Sequence, residues 1–125
     1  MSHAESDLRL ARLGANDPQI LSSQVCFHAQ QAAEKSIKAI LLFQGIEFPL
    51  THDLEELLEI AEDHGMAIPA KVRQTSNLTP YAVETRYPGF SGEIKADEVR
   101  NALRIAEQAI SWAKRVLSEK KGEDS

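Results

Sequence analysis

The sequence contains a single cysteine, Cys26, among 125 residues. One thiol cannot form an internal disulfide, and no group of cysteines and histidines has the spacing of a zinc site. A folded structure must therefore rest on the packing of apolar side chains. Hydrophobic residues make up 42% of the chain, an ordinary fraction for a globular protein, and the length favours a single domain over residues 1–125.

Long apolar runs are also missing. No segment approaches the roughly 18 consecutive apolar residues that a transmembrane helix requires. The N-terminal stretch MSHAESDLRLARL carries charges where a signal peptide needs an apolar core. We therefore expect a soluble, cytoplasmic protein that does not associate with a membrane.

Positive charge is in the minority, with 14 basic against 19 acidic residues and a net charge of −5. Sequence-independent binding to DNA or to an anionic membrane needs a broad basic face. The composition argues against both activities. It leaves open a small basic pocket for one nucleotide or for the end of an RNA strand.

Several catalytic motifs are absent as well. The glycines do not form a phosphate-cradling loop, and no group of carboxylates indicates a bound Mg²⁺. Ser22, Ser23 and Cys26 lie near His28 in sequence, but neighbours in sequence do not make a catalytic triad. We expect neither a metal nor a cofactor.

Apolar residues recur at steps of three and four almost throughout, which predicts an all-α bundle of four to five helices. The expected helices cover about 4–15, 20–44, 53–64, 69–78 and 95–118. Leu10 and Leu13 are assigned to the apolar stripe of the first helix, and Pro80 is expected to interrupt the fourth. The last helix carries a heptad-like seam of Val99, Leu103, Ala106, Ile110, Ala113 and Leu117.

The second helix has two distinct faces when it is projected at 100° per residue. Its predicted core stripe consists of Cys26, Ala29, Ala33, Ile37, Ile40 and Leu41. The opposite face carries His28, Gln31, Lys35, Lys38 and Leu42, with Glu34 at its edge. This outer face either meets another subunit or borders a site. Alternatively, it is a solvated surface beside a broad core stripe.

The segment TRYPG contains residues suited to an anionic ligand. Lys35 and Lys38 lie one turn apart and can reach the same anion, and Arg86 can form a bidentate contact with phosphate. Tyr87 can stack on a base, while Pro88 fixes the turn that follows. The same segment is equally an ordinary helix stop, with a basic residue near the negative end of the helix dipole.

His52 and Asp53 stand at the start of the third helix. A neighbouring His–Asp pair can be catalytic, or it can be an exposed helix cap. Glu34 and Lys38 have the four-residue spacing of a helical ion pair, which is structural if both are solvated. Arg86 can also pair with Glu34 or Asp53 and tie the bundle together.

Four segments in this order resemble the HEPN domain family: CFHAQQAAEKSIKAILLFQGI, PLTHDLEELL, LTPYAVETRYPG and ADEVRNALRIAEQAISWAKRVL. The resemblance covers about residues 7–117 and leaves 118–125 as a frayed polar tail. It implies a helical bundle that forms a homodimer and has a link to nucleotides or RNA. Members of this kind resemble the partners of minimal nucleotidyltransferases in toxin–antitoxin pairs.

The ribonuclease members of the family carry an arginine followed, after four to six residues, by a histidine. None of the seven arginines here has a histidine at that distance, which argues against toxin ribonuclease activity in its usual form. The resemblance implies a ligand site formed by Gln31, Glu34, Lys35, Lys38, His52, Asp53, Arg86 and Tyr87, with Pro88 beside it.

Three functions remain open at this point. The first is a nucleotide- or nucleotidyltransferase-binding module. The second is a metal-independent ribonuclease, with His52 and Arg86 as the candidates for catalysis. The third is a dimeric scaffold in which Lys35, Lys38 and Leu42 serve only the subunit interface.

Overall fold

The computed structural model describes residues 1–82 and 94–123, with side chains described as far as Glu119. These residues form α1 (Ser2–Ala15), α2 (Ser22–Phe43), α3 (Leu54–Asp63), α4 (Ala70–Arg73), a 3₁₀ helix (Gln74–Ala82) and α5 (Ala96–Glu123). The predicted all-α bundle is confirmed. None of the described helices is long and apolar enough to cross a membrane.

Helix α2 lies at the centre of the bundle and contacts α1, α3, α5 and the 3₁₀ helix. With 22 residues it is roughly 33 Å long. All six residues predicted for its core stripe are buried. Because three sides of α2 are covered, its outer face is narrow and lies between α1 and the loop that precedes α3.

Helix α1 buries a different stripe from the one predicted. Leu10 and Leu13 are 50% and 62% exposed, whereas Ala4, Leu8 and Ala11 are buried. The small residues on the inner side explain this choice, because they let α1 approach α2 closely. A Cβ added to Gly14 would lie 3.0 Å from Cγ2 of Ile20 and 3.1 Å from Cγ2 of Val25.

Helix α3 begins at a side-chain cap. The carboxylate of Asp53 accepts hydrogen bonds from the backbone N–H groups of Glu55 and Glu56, at 3.0 and 3.4 Å. Thr51 completes the corner, since its hydroxyl accepts from the N–H of Asp53 and donates to the Glu56 carboxylate. This network fixes the loop that carries His52.

The prediction of the fourth helix is wrong, because most of this segment is a 3₁₀ helix and not an α-helix. Only Ala70–Arg73 is α-helical, and the chain then tightens into a 3₁₀ helix that runs through Pro80 to Ala82. The hydroxyls of Thr75 and Ser76 donate to the carbonyls of Val72 and Arg73, which are the ones three residues earlier. These bonds favour the tighter turn, in which Pro80 is accommodated instead of interrupting the helix.

Helix α5 confirms the predicted seam, in which Val99, Ala106, Ile110 and Ala113 are buried. Leu103 and Leu117 are partly buried against the same core, and Trp112 is buried as well. The helix runs to Glu123, beyond its expected end near residue 118. Glutamate and lysine at positions 119–121 are good helix formers.

Candidate functional site on the outer face of α2

A buried carboxylate organises one part of the outer face. The side chain of Glu34 is 5% exposed. Its Oε1 accepts from Nε2 of Gln30 at 2.9 Å and lies 2.8 Å from Nδ1 of His52. Its Oε2 accepts from Nζ of Lys38 at 3.2 Å. We call Gln30, Glu34, Lys38 and His52 the Glu34 cluster.

The local structure explains why these four side chains meet. Gln30 and Lys38 stand four residues before and after Glu34, so all three lie along one side of α2. His52 enters from the loop whose shape the Thr51–Asp53 corner fixes. The cluster therefore joins one helix to the start of another.

Opposing effects act on the pKa of Glu34. Burial raises the pKa, because it penalises the charged carboxylate. Hydrogen bonds from Gln30, His52 and Lys38, together with the positive charge of Lys38, lower it and prevail. Glu34 is therefore an ionised carboxylate at neutral pH, although its side chain is almost fully buried.

The contact with Glu34 orients the imidazole of His52. An ionised carboxylate can only accept hydrogen bonds, so Nδ1 of His52 must carry the proton between them. The ring is 66% exposed, and this geometry leaves Nε2 available to a ligand. A histidine held in this way by a carboxylate has the arrangement used in acid–base catalysis and in phosphate recognition.

Lys38 is held from two sides. Its ammonium group contacts Glu34 and also lies over the ring of Phe48, 5.8 Å from the ring centroid. Such a cation–π contact stabilises the cation by about 0.5–1 kcal/mol at a partly exposed site. Only 21% of the Lys38 side chain is exposed, so its position is constrained before any ligand arrives.

A second carboxylate, from α1, organises the neighbouring part of the face. Oδ2 of Asp7 accepts from Nζ of Lys35 at 2.6 Å, and Oδ1 lies 3.1 Å from Nδ1 of His28. The exposed fractions of the side chains are 11% for Asp7, 39% for Lys35 and 31% for His28. We call Asp7, His28 and Lys35 the Asp7 cluster.

Two glutamines connect the exposed surface to Glu34. Nε2 of Gln31 donates a hydrogen bond to Oε1 of Gln30 at 2.7 Å, and Nε2 of Gln30 donates one to Oε1 of Glu34. Gln30 is fully buried. Because it must accept from Gln31 and donate to Glu34, only one orientation of its amide satisfies both bonds.

The structure brings together some of the predicted ligand residues and separates others. Gln31, Glu34, Lys38 and His52 belong to one hydrogen-bonded network. Lys35 belongs to the Asp7 cluster instead.

The remaining predictions have different outcomes. Asp53 caps α3, as the alternative interpretation had it. Arg86, Tyr87 and Pro88 lie outside the described residues, so their convergence with the lysines stays a prediction. Glu34 and Lys38 do form the predicted ion pair, but Glu34 is buried rather than solvated.

Two members of the clusters were missed by the sequence reasoning. The spacing of Gln30 and Glu34 is the signal that could have indicated Gln30. No local pattern indicates Asp7, because its partners lie 21 and 28 residues away on another helix. Among the described residues, no group of three histidine, cysteine or acidic side chains is placed to hold a metal ion.

Comparisons with known proteins agree with the fold. A family model described as HEPN domain matches residues 1–116. The fold is similar to the crystal structure of an archaeal HEPN homologue, with a TM-score of 0.72 and 26% sequence identity over 90% of both chains. No curated protein matches significantly.

Proposed function

Because this chain belongs to the HEPN domain family, we propose that it is a nucleotide-binding module that works with a nucleotidyltransferase partner in a toxin–antitoxin-like pair. The observation that carries the proposal is the Glu34 cluster. A buried carboxylate holds an ammonium group and an imidazole beside each other at the surface.

The chemistry of the cluster suits a phosphate group. Nζ of Lys38 has three protons and gives one to Glu34, which leaves further donors for phosphate oxygens. Nε2 of His52 donates another hydrogen bond when the ring is an imidazolium, in which both nitrogens carry protons. Because Glu34 offsets the charge of Lys38, strong binding requires additional positive charge, which the guanidinium of Arg86 would supply under this proposal.

Calorimetry with nucleoside mono- and triphosphates tests the ligand half of the proposal. Lys38→Gln and Arg86→Ala should each weaken binding at least about tenfold, corresponding to roughly 1.4 kcal/mol. Lys71→Gln is the matched control, because Lys71 is an exposed lysine on α4 outside both clusters. Absence of nucleotide binding by the wild type, or unchanged binding by Arg86→Ala, would contradict the nucleotide-binding part of the proposal.

The proposed pairing with a nucleotidyltransferase is tested by identifying the product of the neighbouring gene. A short adjacent reading frame with a nucleotidyltransferase signature, whose product co-purifies with this chain, would support the pairing. Co-expression that yields two separately eluting proteins would contradict it.

A second candidate function is metal-independent RNA cleavage, favoured by the contact between His52 and Glu34. In that mechanism Nε2 of His52 would take or give the proton at the scissile phosphodiester. Purified protein would then cleave RNA in EDTA, His52→Ala would lose the activity, and the exposed His64→Ala would retain it. The missing arginine–histidine spacing places this candidate second.

A further inference from the structure

The Asp7 cluster repeats the bonding pattern of the Glu34 cluster. In both, one carboxylate oxygen contacts Nδ1 of a histidine and the other accepts from Nζ of a lysine. In both, the carboxylate is less exposed than the two groups that it holds, at 11% for Asp7 and 5% for Glu34. The same unit is therefore built twice from different parts of the chain.

The two clusters lie one after the other along the outer face of α2. His28, Gln31, Lys35 and Lys38 lie on the outer face of α2, and Asp7 and His52 approach them from α1 and from the loop before α3. Lys35 and Lys38 are separated by roughly 4.5 Å along the helix axis, and His28 and Lys38 by roughly 15 Å. Gln31 stands between the two units.

Each unit presents donors that are already ordered. The carboxylate uses one proton of the ammonium group and the Nδ1 proton of the imidazole, so the other lysine protons are available to a phosphate, and Nε2 donates to it only in the imidazolium form. Side chains fixed before binding lose less conformational freedom when a ligand arrives. Two such units on one face can hold two anionic groups of the same molecule.

A small cavity adjoins the Asp7 cluster. It has a volume of about 250 Å³ and lies between α1 and the start of α2. Leu10, Leu13 and Ile20 supply apolar walls, while Gln24 and His28 supply hydrogen-bonding groups. The cavity is below the size usual for a whole drug-sized ligand, so it suits one ring.

We propose that the Asp7 cluster is a second anion subsite, and that the ligand of this face carries two separate phosphate groups, one at each cluster. A ring at the Asp7 end of the ligand occupies the adjoining cavity. This inference rests on the proposed nucleotide-binding function, but it assigns the Asp7 cluster and the ligand class independently of Arg86.

Calorimetry at low salt with AMP, ATP and the 5′-phosphorylated dinucleotide pApA tests the subsite. ATP carries its phosphates in one contiguous chain, whereas pApA carries two that a nucleoside separates. We expect the wild type to bind pApA at least about tenfold tighter than AMP. Lys35→Gln should bring this ratio close to one without changing the AMP affinity, and Lys71→Gln should keep both values.

The outcomes separate the two proposals. If AMP binds and Lys38→Gln weakens it, but Lys35→Gln keeps the dinucleotide preference, the nucleotide-binding function stands and the second subsite is wrong. If neither nucleotide binds the wild type, both proposals fail. ATP binding as tightly as pApA would overturn the requirement for two separate phosphates.

Imidazole resonances give a second measurement that needs no variant at Lys35. The Cε1–H signal of His28 should shift on addition of pApA and stay in place on addition of AMP, whereas the signal of His52 should shift with both. An unchanged His28 signal at saturating pApA would contradict the subsite.

Discussion

Glu34 shows how one residue can act on stability and on ligand contacts together. It is buried and ionised, and it accepts hydrogen bonds from three side chains. A buried charge is tolerated only when its lone pairs are satisfied, because an unpaired one is costly. Two of these three side chains, Lys38 and His52, are therefore also the groups that Glu34 holds at the surface.

We predict that Glu34→Gln lowers the free energy of unfolding by about 1–3 kcal/mol, since Lys38 and His52 lose the charged acceptor between them. Urea denaturation measures the change. Glu107→Gln is the control, because its ion pair with Arg12 is about half exposed on both sides and should contribute about 0–1 kcal/mol. Equal losses in the two variants would contradict a special role for Glu34.

The lowered pKa of Glu34 also predicts a dependence of stability on pH. The unfolded chain binds this proton near the ordinary value of about 4.3, and the folded protein binds it only at lower pH. The stabilising contribution is therefore complete above that value. It is lost as the pH falls through the lowered pKa of the folded state.

Urea denaturation across this acidic range should show the stability difference between the wild type and Glu34→Gln shrinking as the pH falls. A difference that stays constant down to pH 2 would show that the charge of Glu34 is not its source.

At the scale of single elements, the start of α3 shows that Asp53 has a structural role as a helix cap. Asp53 was predicted as a site residue, with a helix cap as the alternative. Its carboxylate is bonded to the first turn of α3. The sequence alone does not distinguish the two interpretations, because an aspartate at this position is expected both for a helix N-cap and for a ligand site.

We predict that Asp53→Ala destabilises the fold by about 0.5–2 kcal/mol, and that it weakens nucleotide affinity only by loosening the loop that carries His52. Asp53→Ser, which retains a capping oxygen, should recover most of the stability. Thermal unfolding and calorimetry measure the two effects. Loss of ligand affinity in a stable Asp53→Ser protein would restore Asp53 to the site.

The helices themselves differ in how well periodicity could predict them. The stripe of α2 and the seam of α5 are long and regular, and the residues assigned to them are buried or partly buried. The stripe of α1 was misassigned because large apolar residues were preferred over alanines. The 3₁₀ helix was not predicted, because the spacing of apolar residues does not indicate which hydroxyl groups donate hydrogen bonds to backbone carbonyls.

At the scale of the whole molecule, the fold class followed from local patterns, whereas the site depended on contacts between distant segments. Lys38 and Glu34 are close in sequence and were found as a pair. Asp7 and His52 reach α2 from other elements, and only the packing of the bundle sets those distances. The sequence therefore indicated the cluster members other than Gln30 and Asp7, but it did not indicate their division into two clusters.

We also propose that the chain forms a homodimer through the C-terminal end of the α2 outer face, where Leu42 is 69% exposed. Leu42→Glu should then elute as a monomer in size-exclusion chromatography with light scattering. Leu13→Glu, at an exposed leucine on α1, should remain a dimer. If Leu42→Glu dimerises like the wild type, this face is not the interface. If it is monomeric and nucleotides never bind, the scaffold function is favoured.

The close approach of α1 at Gly14 has a consequence for how this sequence can diverge. Any side chain at position 14 would meet Ile20 and Val25 within about 3 Å, a separation that packed atoms rarely tolerate. Relatives with alanine or serine there should carry smaller residues at positions 20 and 25. Where no such compensation has occurred, either these neighbours or α1 must shift by a few tenths of an ångström, and a shift of α1 would move the aspartate at position 7 relative to its lysine and histidine.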